Sequence, residues 1–197
     1  MSITQRFTAR RARAALVTTV AAGAGIAGTL GMSGIAQAST VGHVPPGWVV
    51  IDSCTGVSGK VTYSPGLEKK NRSVQAVLTG TTSGCSDLFN GAISGTGTIT
   101  AVMSGTANVN AENFSGTFTI NWPAGSGFNP SNGTLTVTEA NGLENVSGSV
   151  TSGFDTGTAF AMQYVITGQT GRGTALHPVT AQTYTNTQSL TLSRNEG

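Results

Sequence analysis

The sequence contains little charge, few aromatic side chains and very few cysteines or histidines. Charged residues make up 9% of the chain and aromatic residues 6%, and there are two cysteines and two histidines. So few aromatic residues argue against a carbohydrate-binding module, and two histidines leave little choice of a catalytic base or a metal ligand. After the N-terminal region, apolar residues recur with a period of two rather than 3.6, so we expect almost no helix there.

The first 38 residues have the parts of a secretory signal peptide. A segment with four arginines precedes an uncharged apolar run from Ala14 to Gly34, and Ala36-Gln37-Ala38 then supplies small residues where a signal peptidase cleaves. We expect cleavage after Ala38 and one secreted domain over residues 39–197. A membrane anchor is the alternative, but the run is mostly Ala, Gly and Thr. The pair Arg10-Arg11 leaves both the general and the twin-arginine export routes open.

Removing residues 1–38 changes the sign of the net charge. The whole chain carries +2, whereas residues 39–197 have six basic and eight acidic side chains, a net charge of −2. The basic side chains form no stripe, so we do not expect nucleic-acid binding. No membrane span is expected after cleavage of the signal peptide. We therefore place the mature protein outside the cell or in the cell envelope.

Cys54 and Cys85 both lie in the part of the chain that we expect to be exported. An even pair of cysteines in an oxidising compartment favours a disulfide over two free thiols, so we predict the bond Cys54–Cys85. It would close a loop of about 30 residues and stabilise the fold by roughly 3–4 kcal/mol. Neither His43 nor His177 stands at a metal-binding spacing from these cysteines, so we expect no metal and no cofactor.

Apolar and polar residues alternate in one segment after another, as in half-buried strands. In GTFTINW, for example, this places Trp122 in the core. Asn141-Gly142 between two alternating runs predicts a tight β-hairpin. The spacing of the segments predicts a single all-β domain of antiparallel strands, and a sandwich and a barrel both remain open. The run from Ile93 to Val109 is too long for an ordinary strand, so we expect a bend or bulge near Ser104-Gly105.

The polar side of the strands is rich in Thr and Ser, and we expect it to face solvent. A regular threonine lattice that binds ice or a polymer is the alternative, but the T-x-T segments are unevenly spaced along the chain. Trp48 follows Pro45-Pro46-Gly47, and we expect it to pack in the core or cap one end of the barrel rather than form an exposed sugar platform.

Four stretches resemble a known family: CTGVSGKVTYSPGL (Cys54–Leu67), SGC ending at Cys85, GTFTINW (Gly116–Trp122) and VSGSVTSGFDTGTA (Val146–Ala159). They are similar to a functionally uncharacterised family of small exported all-β proteins of high-GC Gram-positive bacteria. The resemblance implies export and an all-β fold, and it implies no activity. Members often have a further cysteine pair in the middle of the chain, which this sequence lacks.

No catalytic site can be assigned from the sequence, which has no G-x-S-x-G, no H-E-x-x-H and no Asp-rich calcium loop. A secreted hydrolase using His177, oriented by Asp155, is kept as an alternative. We expect the remaining acids to be surface charges at turns and strand ends, with Glu139 and Glu144 close across the Asn141-Gly142 hairpin. The prediction is therefore a non-enzymatic protein without catalytic residues.

The segment from Gly168 to Ala181 is a long stretch without strand alternation, and it carries Arg172 and His177. Long loops on rigid β scaffolds often carry function, and arginine is enriched in interface hot spots. We predict that Arg172 and His177 contact an extracellular or cell-wall partner, as part of a binding or cell-envelope interaction module. A barrel that carries a small apolar molecule inside is a further alternative, because several inward positions are small.

Overall fold

The computed structural model describes residues 47–140 and 142–196. The predicted signal peptide, its cleavage site and His43 lie outside the described residues. The described residues form nine strands, which are β1 (Trp48–Leu67), β2 (Arg72–Asp87), β3 (Gly91–Ile93), β4 (Gly97–Asn108), β5 (Ala111–Asn121), β6 (Ser131–Ala140), β7 (Leu143–Ser152), β8 (Ala159–Thr170) and β9 (Val179–Asn195).

These strands form one closed antiparallel barrel. Their order in the sheet is β1-β9-β8-β7-β6-β5-β4-β2-β3, and β1 also pairs with β2, which closes the ring. Strand β3 pairs with β2 next to β4, so β3 and β4 occupy one position and the ring has eight strands. The prediction of an all-β fold is confirmed, and of the two predicted architectures the barrel is correct.

Alternation decides which side chains face the interior. On β5, Phe118 and Ile120 are 2% and 0% exposed, and Trp122 just beyond the strand is 7% exposed. Thr117 and Asn121, which have the opposite parity, are exposed. Trp122 therefore belongs to the core, as predicted.

Large inward side chains lie over glycines of neighbouring strands. Tyr184 is the Cα partner of Gly59, and its hydroxyl oxygen lies 2.2 Å from the position that a Cβ on Gly80 would take. In the same way, the ring of Phe118 comes within 2.7 Å of a Cβ placed on Gly133. Because aromatic rings occupy the space of the missing side chains, inward glycines here contribute to a filled interior rather than to an empty one.

The outer wall carries threonines in rows. Thr79 pairs with Thr100, which pairs with Thr119, so three neighbouring strands present threonine at the same height. Thr136 Oγ1 and Ser147 Oγ are 3.1 Å apart on the next pair of strands. Although the T-x-T segments are unevenly spaced along the chain, their threonines are therefore in register across neighbouring strands. The wall is nevertheless the curved outside of a barrel, not a flat lattice.

The predicted disulfide is present. Cys54 and Cys85 are direct cross-strand partners on β1 and β2, with an S–S distance of 2.12 Å. The bond indicates an oxidising compartment rather than the cytoplasm. In the described part of the chain there is no helix with the length and apolar character needed to cross a membrane.

Two local predictions have opposite outcomes. The hairpin at Asn141-Gly142 is confirmed, because Ala140 pairs with Leu143 and Gly142 has φ +76°. The irregularity near Ser104-Gly105 is wrong, because β4 and β5 pair through this region without a register shift. The long alternating run is interrupted earlier, at residues 94–96, between β3 and β4.

Candidate functional site: the cationic end

The turns after β1, β4, β6 and β8 all lie at one end of the barrel, because the strands run alternately up and down. We call it the cationic end, defined by residues 68–71, 109–110, 142 and 171–178. The described residues contain six lysines and arginines, and four of them lie in these turns or next to them. They are Lys69, Lys70, Arg72 and Arg172.

The loop of residues 171–178 is an ordered turn. The backbone of Thr174 and His177 forms an isolated antiparallel bridge, with hydrogen bonds of 3.0 and 3.2 Å, and Arg172 N donates to His177 O at 2.9 Å. These bonds fix Arg172 and His177 on the same loop with both side chains exposed. Leu176 at the tip between them is 89% exposed, so the loop presents an apolar side chain flanked by basic ones.

The turn after β1 is tied to its neighbours. Arg72 Nη1 lies 2.8 Å from Glu68 Oε1, so the charge of Arg72 is compensated within the turn. Val109 N donates to Glu68 O at 2.9 Å, which connects this turn to the one after β4. No ion pair joins Lys69, Lys70 or Arg172 to an acid in the part of the chain that the structure describes.

The turn after β1 and the loop before β9 lie side by side. A groove of about 350 Å³ between them is lined by Glu68, Lys69, Lys70, Gly173, Thr174 and Ala175. Gly173 has φ +69°, and a Cβ there would lie 2.4 Å from Val109 Cγ1, so the loop packs closely on the turn after β4. Three turns thus form one continuous surface, which carries exposed lysines on one side and Arg172 on the other.

Beneath this surface, glutamates face the barrel interior. Glu112 is 8% exposed, and its Oε1 lies 2.8 Å from the hydroxyl of Tyr63, which also lies 2.6 Å from Gln182 Oε1. The hydroxyl of Tyr63 carries a single proton and lies within donating distance of both oxygens. Burial raises the pKa of Glu112 to about 7, although the bond to Tyr63 opposes this, and the charge of Glu139 raises it further.

Glu144 lies in the same interior layer. It is the direct cross-strand partner of Glu139, as predicted from the hairpin, and is 4% exposed. Burial, followed by the charges of Glu112 and Glu139, raises the pKa of Glu144 to about 8. Burial and the neighbouring charge of Glu144 also raise the pKa of Tyr164. The expectation that these acids are surface charges is therefore wrong for Glu112 and Glu144.

The opposite end also contains buried carboxyl groups. We call it the aromatic end, defined by the turns of residues 88–90, 122–130 and 153–158. Asp52 and Asp87 are cross-strand partners and are 0% and 4% exposed, so Asp87 is not the surface charge that we expected. Neither carboxyl oxygen of Asp52 has a hydrogen-bond donor among the described residues. Burial raises the pKa of Asp52 to about 9, with further contributions from Asp155 and then Asp87.

Aromatic rings pack against one another at this end. Phe128 and Phe154 stack with their centroids 3.9 Å apart, and Trp122 meets Phe154 edge-on at 5.6 Å. Trp122 Nε1 donates to Ser131 Oγ at 2.9 Å, and Ser131 Oγ donates to Phe154 O at 2.7 Å. The hydroxyl of Ser131 therefore joins β6 to the loop after β7.

The structure does not bring together the residues of the hydrolase alternative. His177 belongs to the cationic end and Asp155 to the aromatic end, so all twelve residues of β8, about 40 Å of extended chain, separate them. Asp155 therefore cannot orient His177. Among the described residues, no group of three or more His, Cys, Asp or Glu side chains is arranged to hold a metal ion.

Sequence reasoning found the loop with Arg172 and His177 but missed its neighbour with Lys69 and Lys70. The pairing of β1 with β9 brings them together, and nothing local in the sequence signals it.

The chain is thus an eight-stranded up-and-down barrel with a basic surface at one end. Comparison of the chain with family models, with curated proteins and with solved structures gives no match.

Proposed function

We propose that this protein is a secreted, non-enzymatic binding module whose cationic end contacts an acidic polymer or partner at the cell exterior. The observation that carries the proposal is the concentration of basic side chains in two adjacent turns, on a domain whose net charge is negative. Exposed like charges without local compensation cost self-repulsion, and an anionic partner relieves it.

The shape of the surface supports a contact of this kind. Leu176 projects from the loop and can bury apolar area, and Arg172 and the lysines of the adjacent turn add positive charge to the same end of the barrel. An apolar anchor with a charged rim is the usual composition of a protein contact surface. The loop is hydrogen-bonded before any partner arrives, so little conformational entropy is lost on binding.

The alternatives have less support. A carrier requires empty space in the barrel, whereas Tyr184 and Phe118 occupy the space over inward glycines. A hydrolase requires an oriented base, and His177 has no contact with Asp155. The buried acids Glu112 and Glu144 have raised pKa values, but each is less than 10% exposed.

The test is sedimentation of the purified protein with cell walls of a Gram-positive bacterium that contain anionic polymers. We compare the wild type, the double variant Arg172→Ala/His177→Ala and the double variant Lys69→Ala/Lys70→Ala. Lys60→Ala/Arg194→Ala is the matched control, because it removes two cations that lie away from this end. We expect both test variants to lose most of the binding, the control to keep it, and added salt to weaken it.

Binding that survives both test variants would place the contact elsewhere, and binding that salt does not weaken would contradict the electrostatic mechanism. Unchanged chemical-denaturation midpoints show that the exposed substitutions leave the fold intact. Secretion is checked separately by N-terminal sequencing of the protein from culture medium, where we expect Ser39 as the first residue.

A further inference from the structure

A second concave surface lies on the side of the barrel. It is a groove of about 360 Å³ on the outside of β7, β8 and β9, bordered by Trp48 at the start of β1. Trp48 is half-buried and does not belong to the core, so the expectation that it packs inside or caps the barrel is wrong. The volume lies within the range of ligand sites, about 300–1,000 Å³.

A bulge in β9 shapes the groove. The β8–β9 register shifts between Ala161 and Gln163, and the β1–β9 register shifts between Cys54 and Ser58. The side chain of Asn186 replaces the missing backbone partners, because its Oδ1 accepts from Val57 N and its Nδ2 donates to Thr55 O, both at 2.9 Å. These hydrogen bonds fix the bulge of β9 within the barrel wall, and bulges often occur beside binding sites.

Amide side chains form a fixed row along the groove. Gln163 Nε2 donates to Asn145 Oδ1 at 2.9 Å, and Thr187 Oγ1 donates to Gln163 Oε1 at 3.0 Å. These bonds orient the amide of Gln163 before any ligand binds. Hydroxyl groups and small apolar side chains complete the lining, namely Ser147, Ser189, Thr191, Ser193, Ala159 and Ala161.

None of the residues that line the groove is charged. The lining therefore gives no strong site for a phosphate, a carboxylate or an ammonium group. It offers one flat aromatic face, several neutral donors and acceptors, and small side chains that allow close approach. These features fit a ligand with an apolar face and many hydroxyl groups, and a neutral sugar ring is such a ligand, because its C–H groups pack on indole while its hydroxyls reach the amides.

We infer that this groove is a binding site for a segment of a neutral saccharide chain, with Trp48 as the stacking platform and Gln163 as an oriented hydrogen-bonding group. This goes beyond the proposed contact at the cationic end, because it uses a different surface and uncharged chemistry. It needs one aromatic platform rather than several, which agrees with the low aromatic content of the sequence.

The experiment is isothermal titration of the purified protein with neutral hexasaccharides of glucose, mannose, galactose, xylose and N-acetylglucosamine. A hexasaccharide of galacturonic acid serves as the charged comparison. We expect at least one neutral hexasaccharide to bind with a Kd of about 1 mM or tighter, and Trp48→Ala to weaken it about tenfold or more. Gln163→Ala should weaken it less, and added salt should have no effect.

Matched controls are Thr100→Ala on the opposite wall and Arg172→Ala/His177→Ala at the cationic end, both of which should bind like the wild type. The inference is overturned if none of the neutral hexasaccharides binds at about 10 mM. Preference for the galacturonic acid chain overturns it as well, and so does binding that Trp48→Ala leaves unchanged while its near-ultraviolet circular dichroism shows a native fold.

Discussion

The two ends of the barrel differ in where their ionisable side chains lie. At the cationic end, basic side chains lie outside and Glu112 lies inside, within hydrogen-bonding distance of Tyr63. At the aromatic end, Asp52 is buried, and neither of its carboxyl oxygens has a hydrogen-bond donor among the described residues. Burial raises the pKa of Asp52 at the aromatic end and of Glu112 and Glu144 at the cationic end, but the exposed lysines and Arg172 lie at the cationic end. The aromatic end therefore presents packed rings, whereas the cationic end presents the basic side chains on which the proposed contact depends.

The largest expected effect separates the ends by pH. The folded pKa values of Asp52, Glu144 and Glu112 are about 9, 8 and 7, each above its ordinary value. Because the folded state holds these protons more tightly, their contribution is complete below about pH 4 and is lost as pH rises. As pH rises through the window between the ordinary and the folded pKa of each acid, the free energy of unfolding falls by about 1.4 kcal/mol per pH unit for that acid. Urea denaturation from pH 5 to pH 9 measures the decline.

Two variants assign the decline to the two ends. Asp52→Asn should remove one acid's share of the slope up to about pH 9, whereas Glu112→Gln should remove such a share only up to about pH 7. Each variant should therefore be more stable than the wild type at the upper end of its window. A wild-type profile that is flat from pH 5 to pH 9 would show that the acids are not held as neutral groups.

The disulfide gives the next largest effect, and it acts beside the aspartates of the aromatic end. Cys54→Ala/Cys85→Ala should lower the free energy of unfolding by about 3–4 kcal/mol, because the unfolded chain loses a crosslink over roughly 30 residues. Ser53→Ala/Ser86→Ala is the control, since this exposed pair lies on the same strands with its hydroxyl oxygens 3.2 Å apart. Guanidinium denaturation should separate the two clearly. Equal stability of both double variants would argue against a stabilising crosslink.

The smallest of the three effects concerns the hydroxyl of Ser131. Ser131→Ala should cost about 1–3 kcal/mol, because the indole N–H of Trp122 loses its acceptor and the carbonyl of Phe154 loses a donor in a buried place. Thr134→Ala, on the same strand but facing solvent, is the control. Thermal unfolding followed by tryptophan fluorescence compares them. If Ser131→Ala matches the control, the hydroxyl does not stabilise this end.

Much of the fold follows from alternation, because period two marks each strand and Asn141-Gly142 marks its hairpin. Alternation does not distinguish a sandwich from a barrel, since both bury one face of every strand. What distinguishes them is the pairing of β1 with β9, between the first and last strands, and no local pattern reports that. The same pairing places the turn of Lys69 and Lys70 next to the loop of Arg172. The sequence alone therefore does not show that these residues share the cationic end.

The buried acids were missed for another reason. Glu112 has the same parity as Phe114 and Phe118, so alternation alone assigns it to the interior. The general preference of charged residues for water favoured the surface instead. That preference fails where burial raises the pKa of the carboxyl, and burial of Glu112 depends on strands that are far away in sequence. For Glu112, the position in the alternating pattern therefore predicts burial better than the residue type does.

The closure of the ring determines where the chain could be opened to make a circular permutant. Trp48 pairs with Asn195, and Glu196 N donates to Gly47 O at 2.9 Å, so the two ends of the described chain are adjacent. A short peptide could join them, and new termini could open in the exposed hairpin between β6 and β7 without removing any strand pairing. Such a circular permutant would place its termini at the cationic end, next to the surface that we propose for contact. In the native order of strands, the described chain begins and ends at the opposite, aromatic end of the barrel.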